Sequence, residues 1–147
     1  MITLTRGFYV INDPVKPLRF GSVAVRNENT QASARYSGKK GIPLKTVVSG
    51  LCGSDYEFMI MGRAGMAGEI FPASEKRLVI GHEGVLYDPA SDKYRVLLVR
   101  GGSDPDPSRF SEGTSMFEYG CRRMDGLMRL DGYYNPDMLL PIPDKCV

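Results

Sequence analysis

With 147 residues, 42% of them hydrophobic and 24% charged, the chain has the size and balance of one folded domain and not of a disordered segment. Nineteen Lys and Arg against 17 Asp and Glu, interspersed along the chain and not gathered into a run, give no warrant for nucleic-acid binding. The longest apolar run near the start, Phe8 to Ile11, is too short for a signal-peptide core or a membrane span.

Three cysteines, Cys52, Cys121 and Cys146, stand at wide spacings without a CxxC pair, which fits thiols in a reducing compartment better than a disulfide framework. The expectation is a cytoplasmic protein with neither a membrane nor a nucleic-acid partner.

In chain order, Phe8 to Ile11, Val23 to Val25, Leu44 to Val48 and Leu78 to Ile80 are short runs rich in β-branched residues, separated by Gly, Pro, Asn and Ser. Between the second and third, the polar stretch Arg26 to Lys40 reads as a mobile loop or part of a partner surface. A helix is predicted from about Ser54 to Met61, with Ser54 or Asp55 as its N-cap. The glycine-rich segment GRAGMAGEIFPASEKR follows as an excursion.

The clearest hairpin joins Gly84–Tyr87 to Lys93–Val99 through Asp88 to Asp92, a turn carrying proline and two aspartates. Residues 101 to 115 read as a long surface loop. Seventeen glycines and ten prolines spread over the chain favour many short strands and tight corners over long helices. The predicted fold is therefore mainly β, a barrel or sandwich with a few short helices, in one domain over residues 1–147.

Two stretches carry chemistry. GLCGSDYEF, residues 50 to 58, places Cys52, Ser54 and Asp55 within four positions. RLVIGHEGV, residues 77 to 85, holds the one histidine, with His82 and Glu83 between two glycines that let the backbone turn both side chains to one point. Thiolate, imidazole and carboxylate from separate segments are ligand types for a catalytic Zn²⁺ with one open position. The same residues also have ordinary structural readings: Cys52 as a small buried hydrophobe, Ser54 and Asp55 as helix caps. Local pattern does not bring Cys52 next to His82.

Taken together and in this order, GLCGSD and VIGHEG resemble the G-x-C-x-[ST]-D and G-H-E motifs of the zinc-dependent medium-chain dehydrogenases. FEYGCRRMDGLMR (residues 117 to 129) and LLPIP (139 to 143) look like the end of the catalytic domain in the glucose dehydrogenase branch, so the likeness covers about residues 42 to 143. The resemblance implies a GroES-like fold, a partly open β-barrel. It maps Cys52, His82 and Glu83 onto ligands of a catalytic zinc, Ser54 onto the hydroxyl that relays the alcohol proton, and Asp55 onto the acidic residue that steadies this corner. Glu118 falls where sugar dehydrogenases of this type place a carboxylate that accepts hydrogen bonds from substrate hydroxyls.

The departures shape the expectation equally. The family's structural-zinc lobe has four closely spaced cysteines, whereas residues 100 to 120 contain none, so a second, structural zinc is not expected. Gly62, Gly65 and Gly68 lack the strand and spacing of a dinucleotide turn, and the chain ends at Val147, where the coenzyme domain of the family begins. The expected function is a zinc and substrate half of a sugar or alcohol dehydrogenase. It would act on a small sugar or alcohol only with NAD(P) supplied by a separate coenzyme-binding chain. A non-enzymatic GroES-like interaction module, with a partner or a homo-oligomer on its exposed face, is the alternative. A zinc-dependent hydrolase is a third reading, with no acid or base beyond Glu83 to support it.

Overall fold

A computed structural model describes residues 3–11, 13, 15–25, 41–61, 77–98, 101–103, 116–120, 123–143 and 146. The stretch Arg26 to Lys40, the glycine-rich segment at 62–76 and most of the loop expected at 101–115 lie outside the described residues.

The elements run β1 (Thr3–Ile11), β2 (Leu18–Val25), β3 (Ile42–Ser49), α1 (Gly53–Met61), β4 (Arg77–Val79), β5 (Glu83–Asp88), β6 (Lys93–Leu98), β7 (Gly101–Ser103), β8 (Met116–Tyr119), β9 (Arg123–Met124), β10 (Asp131–Tyr134), a 3₁₀ turn Pro136–Met138 and β11 (Leu140–Pro141). The four β-branched runs fall on strands, save that Ile80 lies past the end of β4, and β1, β2 and β3 extend beyond theirs because ladder pairing continues into the polar neighbours. The fold is mainly β, as the sequence predicts. One difference is Gly101–Ser103, which pairs with Met116–Phe117–Glu118 as a strand instead of opening a loop.

Among the described residues the strands form three sheets. Strands β2-β1-β4 form one, β10-β3-β5-β6-β11 the second, and β7-β8-β9 the third. The turn between β1 and β2 is held by Asp13, whose Oδ1 accepts from the backbone N–H of Val15 and Lys16, both at 3.0 Å. Hairpin β5–β6 pairs Asp88 with Lys93 through Glu83 with Leu98. Its turn is closed by Asp88, which accepts from the Ala90 and Ser91 N–H groups and from the Ser91 hydroxyl at 2.6 Å. Asp92 takes φ 52°, a left-handed conformation that a short acidic side chain tolerates.

The first two sheets are joined by an extended segment, residues 126–130, and not by a long strand. Its backbone bonds alternately to the first sheet (Phe8 N–H to Met128 O, 2.7 Å; Leu130 N–H to Arg6 O, 3.1 Å) and to the second (Thr46 N–H to Leu130 O, 2.9 Å). It also closes on residues 79–81: Gly126, Leu127 and Met128 donate to the carbonyls of Val79, Gly81 and Ile80. This seam fixes where the 80–83 corner stands relative to β3.

One core cluster, Leu44, Leu86, Leu97, Tyr119, Leu127, Tyr134 and Met138, is drawn from the second sheet, β8, the 126–130 segment and the 3₁₀ turn, and Val10, Val23, Val25, Leu78 and Val79 of the first sheet are buried as well. Removing each such aliphatic side chain from water contributes roughly 1.5–3 kcal/mol. Tyr119 and Tyr134 pack with ring centroids 5.5 Å apart, and the Tyr119 hydroxyl accepts from the Asn135 N–H at 2.9 Å, so the buried phenol is satisfied. Asn135 in turn caps the 3₁₀ turn by accepting from the Asp137 N–H.

Arg129 is buried beside Asp125 (3.7 Å) and over the Tyr134 ring, with Nη1 lacking a hydrogen-bond partner. Such a group is stabilised mainly by the adjacent carboxylate, and sequence pattern does not foretell it. Among the described residues no helix is long and apolar enough to cross a membrane.

A candidate metal centre at Cys52, Asp55 and His82

Cys52 stands immediately before α1. Its carbonyl accepts from the Tyr56 N–H at 3.1 Å, the first bond of the helix, and its Sγ accepts from the Ser54 N–H at 3.3 Å. The thiol therefore occupies the place of an N-cap oxygen. Three residues on, Asp55 reaches back and accepts from the Cys52 N–H through Oδ2 at 3.2 Å. This is the reciprocal bonding of a capping box, with cysteine and aspartate as its two members. The helix thus starts one residue earlier than expected, and its cap is Cys52 instead of Ser54 or Asp55.

Asp55 is fully buried and spends its other oxygen across the fold: Oδ1 accepts from the Gly81 N–H at 3.0 Å and lies 3.6 Å from His82 Nδ1. At that separation the hold on the imidazole is electrostatic, since a hydrogen bond needs a closer approach. Burial pushes the Asp55 carboxyl up, but His82 and the two backbone donors outweigh it and leave its pKa below the ordinary carboxylate value.

Gly81 makes this corner possible. Its φ is +93°, and a Cβ there would stand 2.7 Å from Ser49 Oγ and 2.9 Å from Met128 Cγ. The left-handed residue redirects the chain out of β4, so His82 enters the interior, only 2% exposed, with Nε2 2.8 Å from Cys52 Sγ across thirty residues of sequence.

The Ser54 hydroxyl lies 2.9 Å from the same sulfur. Burial raises the thiol pKa, while Ser54, the backbone N–H groups and His82 lower it, with a net shift below the ordinary thiol value. Cys52 is half-buried, so its side chain is partly open to solvent.

Among the described residues, Cys52, Asp55 and His82 form the group able to hold a metal ion, their donor atoms all within 4.8 Å of one another. Of the residues singled out from the sequence, the structure brings Cys52, Ser54, Asp55 and His82 together. Glu83 is outside that group; its carboxylate lies over Gly50, where an added Cβ would stand 2.7 Å from Oε1. Glu118 is in β8, paired with Gly101 and Arg123, and its side chain is outside the described residues.

Sulfur, imidazole nitrogen and carboxylate oxygen match the donor chemistry of Zn²⁺. Asp55 accepts backbone N–H bonds on both oxygens and faces His82 Nδ1 at 3.6 Å, so the carboxylate is held beside the imidazole. Its cue in the sequence is the three-residue spacing from Cys52, which a capping box requires.

No protein-family model and no curated protein matches the chain. Among solved structures, L-idonate 5-dehydrogenase from Escherichia coli str. K-12 substr. MG1655 shares its fold, with a TM-score of 0.59 at 14% sequence identity. The match covers 99% of this chain but 41% of that one, so the chain spans about two fifths of the dehydrogenase's length. The architecture is that of a mainly β, GroES-like domain.

Proposed function

We propose that the chain is a zinc-binding, catalytic-type domain related to the NAD(P)-dependent alcohol and sugar dehydrogenases, acting on a small alcohol or sugar with a coenzyme-binding chain as partner. The observation that carries this reading is the convergence of Cys52 Sγ, His82 Nε2 and the Asp55 carboxylate, from segments thirty residues apart, in a fold shared with a dehydrogenase.

Cys52 and His82 would hold the metal together with the adjacent Asp55 carboxylate, whereas Glu83, the third ligand that the sequence resemblance implies, has its carboxylate over Gly50. Bound zinc supplies Lewis acidity that polarises an alcohol oxygen and lowers its pKa. The chain's own residues do the rest. Ser54 Oγ, 2.9 Å from the sulfur, carries the proton that an alcohol gives up. Asp55 attracts the imidazole electrostatically, and substrate reaches the half-buried Cys52 from solvent. Glu118 is the proposed acceptor for substrate hydroxyls.

Metal analysis and calorimetric zinc titration of the chelator-stripped protein test the reading. The expected result is about one zinc per chain, lost in Cys52→Ser and His82→Ala; a wild-type chain that takes up no zinc overturns it. NAD and NADP titrated onto the loaded chain are expected not to bind, and coenzyme binding by this chain alone would refute the need for a partner.

The 2.8 Å approach of Nε2 to Sγ supports a second reading. Two ligands on one tetrahedral zinc stand roughly 3.5 Å apart, so the pair is in hydrogen-bonding contact. Thiol, imidazole and carboxylate in this order are also the parts of a cysteine nucleophile with its base and orienting acid. Fast alkylation of Cys52 by iodoacetamide in chelator, lost in His82→Ala, is its signature; a rate equal to that of exposed Cys146 eliminates it.

A further inference from the structure

Away from Cys52, Asp55 and His82, none of which lines it, an open groove of about 550 Å³ runs between β1–β2 and the end of β3, floored by residues 127–130. Its volume falls within the range of small-molecule sites. Phe8, Phe20, Val47, Val48, Leu51 and Leu130 line it and are 44% to 63% exposed, an apolar concentration that a soluble fold does not leave bare without cost.

The polar groups of the lining are disposed in a particular way. The Thr46 hydroxyl donates to the Leu127 carbonyl, and the Ser49 hydroxyl is turned to the carbonyls of Gly50 and Glu83. Arg129 sends its guanidinium inward to Tyr134 and Asp125. What remains is Arg6, exposed, its guanidinium stacked 4.9 Å over the Phe20 ring at the groove. The described lining contains no carboxylate.

We propose that this groove binds an amphipathic monoanion, an extended apolar chain with a carboxylate head, the chain lying on Phe8, Val47, Val48, Leu51 and Leu130 and the head on Arg6. The walls are mostly apolar, and the Thr46 and Ser49 hydroxyls in them are already bonded to backbone carbonyls, which favours a hydrocarbon body. Among the described lining residues the accessible charge is that of Arg6, cationic and planar, matched to a carboxylate. A second copy fits less well, because two-fold contact sets a patch against itself, and a concave wall with a lone cation complements neither its own shape nor its own charge.

Calorimetry and methyl NMR with dodecanoate, dodecanol and dodecyltrimethylammonium, each below its micelle concentration, test this. Dodecanoate is expected to bind one per chain and to shift the methyl signals of Val47, Val48, Leu51 and Leu130. Loss of the head-group contact in Arg6→Gln, an exposed substitution, is expected to weaken dodecanoate about tenfold. The same substitution leaves dodecanol unchanged.

Absence of dodecanoate binding to wild type, or equal binding of all three amphiphiles, overturns the proposal. So does a concentration-dependent dimer that shifts the same methyls and is abolished by Leu130→Asp, since that result gives the groove to a second copy. Thermal melting of both variants confirms that they are folded.

Discussion

Replacing Asp55 by asparagine keeps the size of the side chain and removes its charge, and the structure gives the consequence directly. The carboxylate accepts two backbone N–H bonds, from Cys52 at 3.2 Å and Gly81 at 3.0 Å, while Oδ1 faces His82. An amide has one oxygen to offer, so whichever way the new side chain turns, its NH₂ opposes a buried backbone donor. One unsatisfied buried N–H costs about 1–3 kcal/mol, and at about 2 kcal/mol the melting temperature of a domain this size falls by roughly 4–8 °C.

Asp55→Ala strands both donors and is expected to fall further. The assay is thermal unfolding by circular dichroism in chelator, so that metal binding does not enter. The pH dependence supplies a second check with a definite sign. The folded pKa of Asp55 lies below its ordinary value. Its contribution is therefore complete above the unfolded pKa of about 3.9 and is lost as pH falls through the lower folded value. The gap between wild type and Asp55→Asn should close on strong acidification. A variant that melts with wild type at pH 7, or a gap that widens in acid, refutes the assignment of Asp55 as the tie between α1 and the Gly81 corner.

Gly81→Ala forces a Cβ against Ser49 Oγ and Met128 Cγ at a φ of +93°; left-handed strain and overlap together are expected to cost about 2–4 kcal/mol in denaturant unfolding, with a parallel loss of zinc affinity. Asp88→Ala removes the acceptor that closes the β5–β6 turn, at about 1 kcal/mol by analogy with a lost cap. The Ser91 hydroxyl holds the Asp88 carboxyl below its usual range, so that contribution should vanish as pH falls through the depressed pKa, measured by melting from neutral to acid pH. Leu86→Ala, at a fully buried position in the second sheet, is expected to lose about 2–5 kcal/mol in urea unfolding, more than any surface substitution on β6.

Much of the architecture was legible because it is local. The β-branched runs of β1 to β4 and the Asp-Pro turn of the β5–β6 hairpin follow from dihedral preference and turn chemistry within a few residues. The helix after Cys52 was legible for the same reason, but its cap was read two or three residues late, because cysteine rarely serves there and its role depends on Sγ reaching the Ser54 N–H. Gly101–Ser103 carries no strand signal in two glycines and a serine; it is a strand because β8 supplies the ladder. Buried Arg129 was invisible, since a lone arginine looks like surface until Tyr134, Asp125 and the interior of the sheet enclose it.

For the site, the residue types and their local spacing, Cys52 with Ser54 and Asp55 in one stretch and His82 between glycines in another, were set by the chain itself. What joined the two stretches was the seam at residues 126–130, which pins residues 79–81 beside the end of β3, and the Asp55 bond to the Gly81 N–H. Short-range preference specifies turns and periodicity, but contact between groups thirty residues apart depends on long-range backbone pairing. That pairing placed Nε2 beside Sγ, and it left the Glu83 carboxylate over Gly50.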